Sequence, residues 1–455
     1  MNIFSGIFQS IQRRLTVLIV LLVMIPTITI GVVVISQWQD SLRVQINELE
    51  EERISEHAIQ MEDFLVGTEA DIRYLANNPN VEGLAEALEA DDEERIAELT
   101  TVLEEDFLAF SNARGIYDQI RFFDTAGNEI VRVDRNNVEA ESAFVVENLQ
   151  NKADRSYYVG TVSQPENGIY VSALNLNREG SPSQIEVQPN GEIVPVLRYG
   201  MPIFVNGQRV GVVVTNVFAR ELLNLLEDPN NPEDAHVYLV SVPVGETYAN
   251  TEGAYLYNSA NPLREFGYES GIDTLAQDNP NIEGVTNRIA GYDILDDYIT
   301  VEEFNELKAA PQPINEMFPS VGDDLFLHYL RIAPPSAEGY YWLLITERDQ
   351  SVLLSEVNQI ASVGLLVMVV VFGVIVVIAT LFSRQISAPL TRLSEQAQRI
   401  AQGDLAESLG VMTNRRDEIG VLGRAFDDMA TQLRELFTSM EARIAARTND
   451  LETSA

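Results

Sequence analysis

The chain reads as an α+β membrane protein in which two membrane-crossing helices flank tandem antiparallel sheets built on a long helix, with a helical bundle after the second crossing. Three observations predict this. Two uncharged apolar runs, Leu15 to Ile35 and Ile360 to Phe382, are each long enough to cross ~30 Å of hydrocarbon as a helix. Between them, short runs rich in β-branched and aromatic residues are separated by Gly, Asn and Asp, the pattern of strands and turns. After the second run, apolar residues return every three or four positions, the pattern of packed helices. With 455 residues, more than one core is required.

The first run is longer than the ~7–15 residue apolar stretch of a signal peptide, and no Ala-x-Ala cleavage pattern follows it, so it reads as an uncleaved anchor. Pro26 is tolerated inside such a helix because neighbouring groups re-satisfy the freed carbonyl. Arg13 and Arg14 before the first span, and Arg384 and Arg392 after the second, place both termini in the cytoplasm and the chain in the inner (plasma) membrane. The expected divisions are a cytoplasmic N-terminus (1–14), a first span (15–36), an extracytoplasmic region (37–355), a second span (360–382), a helical bundle (383–436) and the start of a coiled coil (437–455).

Charge sharpens the division. The formal net charge is −39. Residues 1–14 carry +2 and residues 383–455 carry nine Arg against eleven acids, or −2, so the whole acidic excess lies between the spans. Such a field argues against nucleic acid and against an anionic membrane surface lying on that region. A solvated acidic face accounts for it, with attraction of divalent cations as the alternative reading. Cysteine is absent, which excludes disulfides and thiolate metal sites. His57, His236 and His328 are scattered and carry no assigned role, and neither metal nor cofactor is expected. Ionisable residues are missing from both spans, against a transporter.

Within the extracytoplasmic region, Leu42, Ile46, Leu49, Met61, Leu65, Ile72 and Leu75 continue the first span outward as a long helix, ended by Asn77-Asn78-Pro79-Asn80. A second helical stripe runs through Ile96, Leu99, Leu103, Phe107 and Phe110. Residues 117–123 and 129–135 then form a hairpin. A helical stretch around Phe144, Val145 and Leu149 is followed by strands near 157–163 and 168–174 and a surface loop over 178–192. A strong hairpin over 194–217 turns at Asn206-Gly207. A second sheet repeats the logic with strands at 236–242, 254–258, 325–332 and 340–347.

DQIRFFDTAGNEIVRVDR (118–135), LQNKADRSYYVG (149–160), IYVSALNLN (169–177), VLRYGMPIFVNGQRVGVVVTNV (196–217) and AYLYNSANPLREFGY (254–268) follow one another in the order of the double Cache domain. The region resembles that domain, which implies two PAS-like sheets, a distal one over about 115–228 and a proximal one over about 235–348. Cache domains that bind amino acids use an Arg-x-Trp-aromatic segment for the ligand carboxylate and a later Asp for its ammonium group. Arg155-Ser156-Tyr157-Tyr158 matches the first, with Tyr157 in place of the tryptophan, and Asn216 stands where that Asp would fall. The resemblance therefore implies Arg155, Tyr157, Tyr158 and Asn216 as site residues and favours a small polar or anionic ligand. Arg121 and Arg198 are further donors on sheet strands, their planar forks suited to carboxylate or phosphate. The same arginines have a second use open to them, pairing with nearby acids such as Asp118 or Glu192.

Beyond the second span, Ile386, Leu390, Leu393, Ala397 and Ile400 form one stripe and Ile419, Leu422, Phe426, Met429, Leu433 and Leu436 another. With Pro389 in the first helix, Gly403-Asp404-Leu405 after it, Val411 in the connector and Asp417-Glu418-Ile419-Gly420 opening the second helix, the segment resembles a HAMP domain. That implies a homodimeric four-helix bundle which relays a signal through Pro389, Gly403, Val411 and Glu418. ARIAARTNDLE (442–452) resembles the linker that precedes kinase, GAF or PAS modules. The chain shows no phosphoacceptor His-Glu segment and no nucleotide-binding glycine boxes. The expected function is a sensory receptor acting on a histidine kinase module or response regulator. The alternatives are a chemoreceptor or cyclic-dinucleotide output, or an anchored ectodomain that binds a protein partner.

Overall fold

The computed structural model describes residues 11–178, 184–188, 191–229, 235–279, 288–291, 293–297, 300–309, 325–402 and 415–452. The chain divides into two compact units, Arg43–Ser355 and a second made of Met1–Leu42 with Glu356–Ala455. Helix α1 (Ile11–Ala76) contributes to both.

In the larger unit, Ile54, Met61, Leu65, Ile72 and Leu75 of α1 are buried, a stripe recurring every three, four or seven residues. The helix stops where Asn78 caps α2 (Pro79–Glu89), its side chain accepting from the Asn80 amide at 2.9 Å with Pro79 at the first helical position. Asp92 caps α3 (Glu93–Arg114) in the same way, and Gly115 ends it at φ +73°, a left-handed conformation that glycine adopts without steric cost. The acidic run 91–94 thus lies at a helix break, facing solvent.

Strands β1 (Tyr117–Phe123) and β2 (Glu129–Asp134) form the first hairpin, and β3 (Phe144–Val145) adds to its edge. The expected helix around Phe144 is absent: the main chain of this stretch pairs with β2 instead. Helix α4 (Ser156–Val162) replaces the strand expected near 157–163. Tyr, Tyr and Val favour strands, but Tyr157, Tyr158 and Thr161 are buried while Val159 is exposed, a helical burial pattern. The Thr161 hydroxyl donates to the Tyr157 carbonyl one turn back at 2.7 Å. Short strands β4 (Tyr170–Val171) and β5 (Asn175–Leu176) follow, then the long pair β6 (Pro195–Val205) and β7 (Gln208–Phe218). Asn206 and Gly207 at its turn both have positive φ, 52° and 78°, as a two-residue hairpin turn demands. Helix α5 (Ala219–Asn224) closes this part.

The seven strands form one antiparallel sheet in the order β3-β2-β1-β7-β6-β4, with β5 also on β6. Alternation divides its residues. Ile120, Phe122, Val213, Leu197, Tyr199 and Met201 join the residues of α1, α2 and α3 in the main core. Phe123, Val212 and Val214 pack on Tyr157 and Tyr158 of α4.

A second sheet, ordered β10-β11-β8-β9, is built from β8 (Ala235–Pro243), β9 (Tyr255–Asn258), β10 (Leu325–Ile332) and β11 (Tyr340–Asp349). One set of its residues, Tyr238, Val240, Tyr255, Leu343 and Ile345, packs with Ile294 and Phe304. These two come from the short helices α7 (Ile294–Asp297) and α8 (Val301–Ala309), which follow α6 (Leu275–Asp278). Val237, Leu239, Leu256, Trp342 and Leu344 join the main core.

In the second unit, α1 and α9 (Gln350–Ala401) hold the two stretches long and apolar enough to cross a membrane, within Arg13–Leu42 and Gln359–Ala401. Pro389 is buried inside α9, and Leu393 packs with Leu390 and with Phe426 of α10 (Glu418–Glu452). Glu418 is the first residue of α10, just after Asp417, whose carboxylate accepts from the Gly420 amide at 2.9 Å and from Arg415 at 2.6 Å. Those two bonds hold the Asp417 carboxyl down at about 2. Gly403 and Val411 lie outside the described residues.

Candidate functional site

Register builds the site. Gln119 of β1 and Arg198 of β6 both pair with Asn216 of β7, so one polar row crosses the three central strands. Two residues along, Arg121, Val214 and Gly200 form the next row of the same face. Phe123 and Val212 begin an apolar row beyond it. Helix α4 lies over this boundary, and Gly200 lets it approach: a Cβ there would stand 1.9 Å from the Thr161 hydroxyl.

The close approach sets the Tyr157 ring between two guanidinium groups, with the Arg121 Cζ 4.8 Å and the Arg198 Cζ 5.5 Å from its centroid. Arg121 donates to the Tyr157 hydroxyl at 3.0 Å and to the Asn216 Oδ1 at 2.8 Å. Arg198 donates to the Oδ1 atoms of Asn175 at 2.7 Å and Asn177 at 2.8 Å. The amide nitrogens of Asn216 and Asn177 both donate to the Asp118 carboxyl behind them, at 3.3 and 3.2 Å. Burial, then the charges of Glu186 and Asp134, push the Asp118 carboxyl well above the usual carboxylate range. Burial and the nearby Arg121 charge lower the pKa of Arg198.

These groups open on a pocket of about 130 Å³ that Lys152, Arg155 and Arg178 also line. Arg121 is 1% exposed and Arg198 8%, and the Nε of each lacks a hydrogen-bond partner. A buried donor left unsatisfied costs ~1–3 kcal/mol, and more when charged. Glu129, 3.8 Å from Arg121, is the nearest fixed carboxylate and also faces Arg132 at 3.5 Å.

Of the residues expected from the sequence, Arg121, Arg155, Tyr157, Arg198 and Asn216 line this one pocket. Tyr158 does not: its hydroxyl donates to the Asp124 carbonyl at 3.0 Å and its ring meets Phe123 edge-on. The arginines do not use Glu192, which lines a separate cavity beside Arg220. Reasoning from sequence missed Lys152, Asn175, Asn177, Arg178 and Glu269. Lys152 and Asn177 stand inside segments that carry the Cache resemblance, and Glu269 arrives from beyond β9, where no local signal marked it.

A folded sensor between two membrane-crossing helices, with a paired-helix segment after the second, defines a transmembrane signalling receptor: a membrane protein with an extracellular sensor. The chain belongs to the family described as the bacterial histidine kinase sensor domain, which matches residues 84–312, and residues 381–435 match the HAMP domain. It is 31% identical over 109 residues to the methyl-accepting chemotaxis protein McpA of Bacillus subtilis, covering 22% of this chain and 16% of that protein. It is 30% identical over 111 residues to the sensor protein SrrB of Staphylococcus aureus, covering 24% and 19%. The matched segments thus span under a fifth of the length of these curated relatives. Among solved structures, the extracellular domain of the candidate histidine kinase vpHK1S-Z8 aligns over 69% of this chain and 98% of its own, at 20% identity and TM-score 0.49. The sensory domain of the Campylobacter jejuni chemoreceptor Tlp3, with isoleucine bound, aligns over 69% and 96% at 13% identity and TM-score 0.41.

Proposed function

We propose that the chain is the sensory part of an inner-membrane histidine kinase system, in which the seven-stranded sheet binds a small polar or anionic ligand and a homodimeric HAMP bundle carries the change to a kinase module or response regulator. The observation that carries this is the pocket itself: five cationic side chains converge on a small buried space, two of them with buried donors unsatisfied. Homodimerisation is supported by the apolar residues Val421, Leu422, Met429 and Leu436 of α10, which are 43–60% exposed and form the stripe that a parallel partner would cover. On this reading the expected divisions at 37–355 and 383–436 are the sensing and relay modules.

The test is thermal unfolding of the full chain in lipid nanodiscs against organic acids, amino acids, phosphate and divalent cations. A ligand that binds only the folded state stabilises it by ~2.7 kcal/mol at a hundred times its Kd. A stabilising compound whose effect disappears in Arg121→Gln supports the reading. A panel without any effect would contradict it. A chemoreceptor output is the second reading, favoured by the likeness to McpA.

A further inference from the structure

We infer that the pocket takes a compact dianion carrying no ammonium group, of the kind offered by a tetrahedral oxyanion or a short dicarboxylate. This deepens the proposed sensing role and rests on it. Most polar atoms around the pocket are already committed to protein partners. The oxygens of Asn175, Asn177 and Asn216 accept from Arg198 and Arg121. The amide nitrogens of Asn177 and Asn216 point their bonds at protein carboxyl and amide oxygens, those of Asp118, Glu186 and Gln119.

Glu269, the one carboxylate lining the pocket among the described residues, accepts from the Leu176 amide with Oε1 at 3.0 Å and from Arg178 with Oε2 at 2.9 Å. An ammonium group would need acceptors, and the side-chain oxygens of Asn175, Asn177, Asn216 and Glu269 are each engaged by a protein donor. An oxyanion needs donors, and the pocket is lined by the cationic side chains of Arg121, Lys152, Arg155, Arg178 and Arg198.

Charge sets the valence. Arg121, Lys152, Arg155, Arg178 and Arg198 line the pocket against the single carboxylate of Glu269. In a desolvated site of this kind a second negative charge on the ligand gains more than it would in water, where unit charges 4 Å apart interact by only ~1 kcal/mol. Size sets the rest: about 130 Å³ is far below the ~300–1,000 Å³ of sites for drug-sized ligands, so the two charges must sit on a body of few atoms.

Titration calorimetry on the full chain in nanodiscs, at constant ionic strength, tests the inference with phosphate, sulfate, malonate and succinate against acetate, aspartate and γ-aminobutyrate. At least one dianion is expected to bind, with acetate, aspartate and γ-aminobutyrate weaker by about tenfold or more. Binding of phosphate or sulfate alone identifies the tetrahedral source, and of malonate or succinate alone the dicarboxylate. Arg121→Gln should abolish binding. Should that variant fail to fold, Arg155→Gln at the rim, half-exposed, should weaken it by about tenfold. Aspartate binding as tightly as succinate would overturn the exclusion of ammonium, and acetate binding as tightly as the dianions would overturn the double charge. In either case the sensing role stands. No binding by any compound, amino acids included, would instead overturn the sensing role of the pocket.

Discussion

Replacing Gly200 by alanine puts a methyl group into the seam between β6 and α4. The new Cβ would stand 1.9 Å from Thr161 Oγ1 and 2.9 Å from Thr161 Cβ and Cγ2. Thr161 cannot simply swing aside, because its hydroxyl is bonded to the Tyr157 carbonyl at 2.7 Å and the residue is fully buried. The helix must therefore back away until the contact opens from 1.9 Å toward the 3.4 Å of ordinary packing. A shift of that size carries the Tyr157 hydroxyl, now 3.0 Å from Arg121, out of hydrogen-bond range.

Overpacking of this kind costs ~1–3 kcal/mol. At roughly 2–4 °C per kcal/mol for a domain of 150–250 residues, the melting temperature should fall by roughly 2–12 °C. Ligand affinity should fall with it, because the Arg121 guanidinium loses the partner that holds it in place. Thermal unfolding and calorimetry of the full chain read both. Thr161→Ala in the same chain removes the closest atom and should recover much of the melting temperature. Gly200→Ala that melts and binds like the parent would refute the claim that this glycine sets the position of Tyr157.

Trp342, 1% exposed on β11, anchors the second sheet, and Trp342→Ala should cost ~3–5 kcal/mol in denaturant unfolding, whereas a loss below ~1 kcal/mol would show the sheet to be less tightly packed. Glu269→Gln removes the carboxylate that competes for Arg178 while keeping an acceptor for the Leu176 amide, so anion affinity by calorimetry should rise; a fall would mean that Glu269 organises the site. Asp118 keeps its proton in the folded state above the pH at which the unfolded chain releases it, so stability from this group is full at acid pH and is lost as pH rises through its raised pKa. Asp118→Asn should flatten that fall in a series of denaturant midpoints against pH, the remaining slope belonging in part to Glu265, which burial also raises. An unchanged slope would mean that Asp118 is ionised in the folded protein.

Much of the fold was legible because local chemistry and tertiary context agree. Asn206-Gly207 supplies two positive φ values where the long hairpin turns, and Asn78-Pro79 both stops α1 and starts α2. The hairpin 117–134 is rich in β-branched and aromatic residues on either side of a turn through Asp124 and Gly127, so its strands could be read directly. Reading failed where a short segment's propensity was overruled. Tyr157-Tyr158-Val159 favours a strand, yet the segment coils into α4 because Gly160 and Gly200 leave room for a helix to lie flat on the sheet.

Arg121 and Arg198 were legible as donors on sheet strands, and Arg155, Tyr157 and Asn216 through the Cache resemblance. Arg121, Arg198 and Asn216 meet because of strand pairing alone. The direction of Tyr158 depended on the helix, since in a helix it turns by about 100° from Tyr157. The part of Glu269 could not be read at all, because the residue reaches Arg178 across 91 positions of sequence through the packing of two sheets.

The central claim is that occupancy of the arginine pocket changes the HAMP segment. The chain contains no cysteine, so a single spin label at Met440→Cys, on an exposed face of α10, reports without interference. The measurement is the electron paramagnetic resonance of that label in nanodiscs, with and without a bound anion, in the parent and in Arg121→Gln. A change in label mobility or in label-to-label distance is expected that follows ligand concentration in the parent and is absent in Arg121→Gln. A spectrum that stays the same while calorimetry shows the pocket full would contradict it.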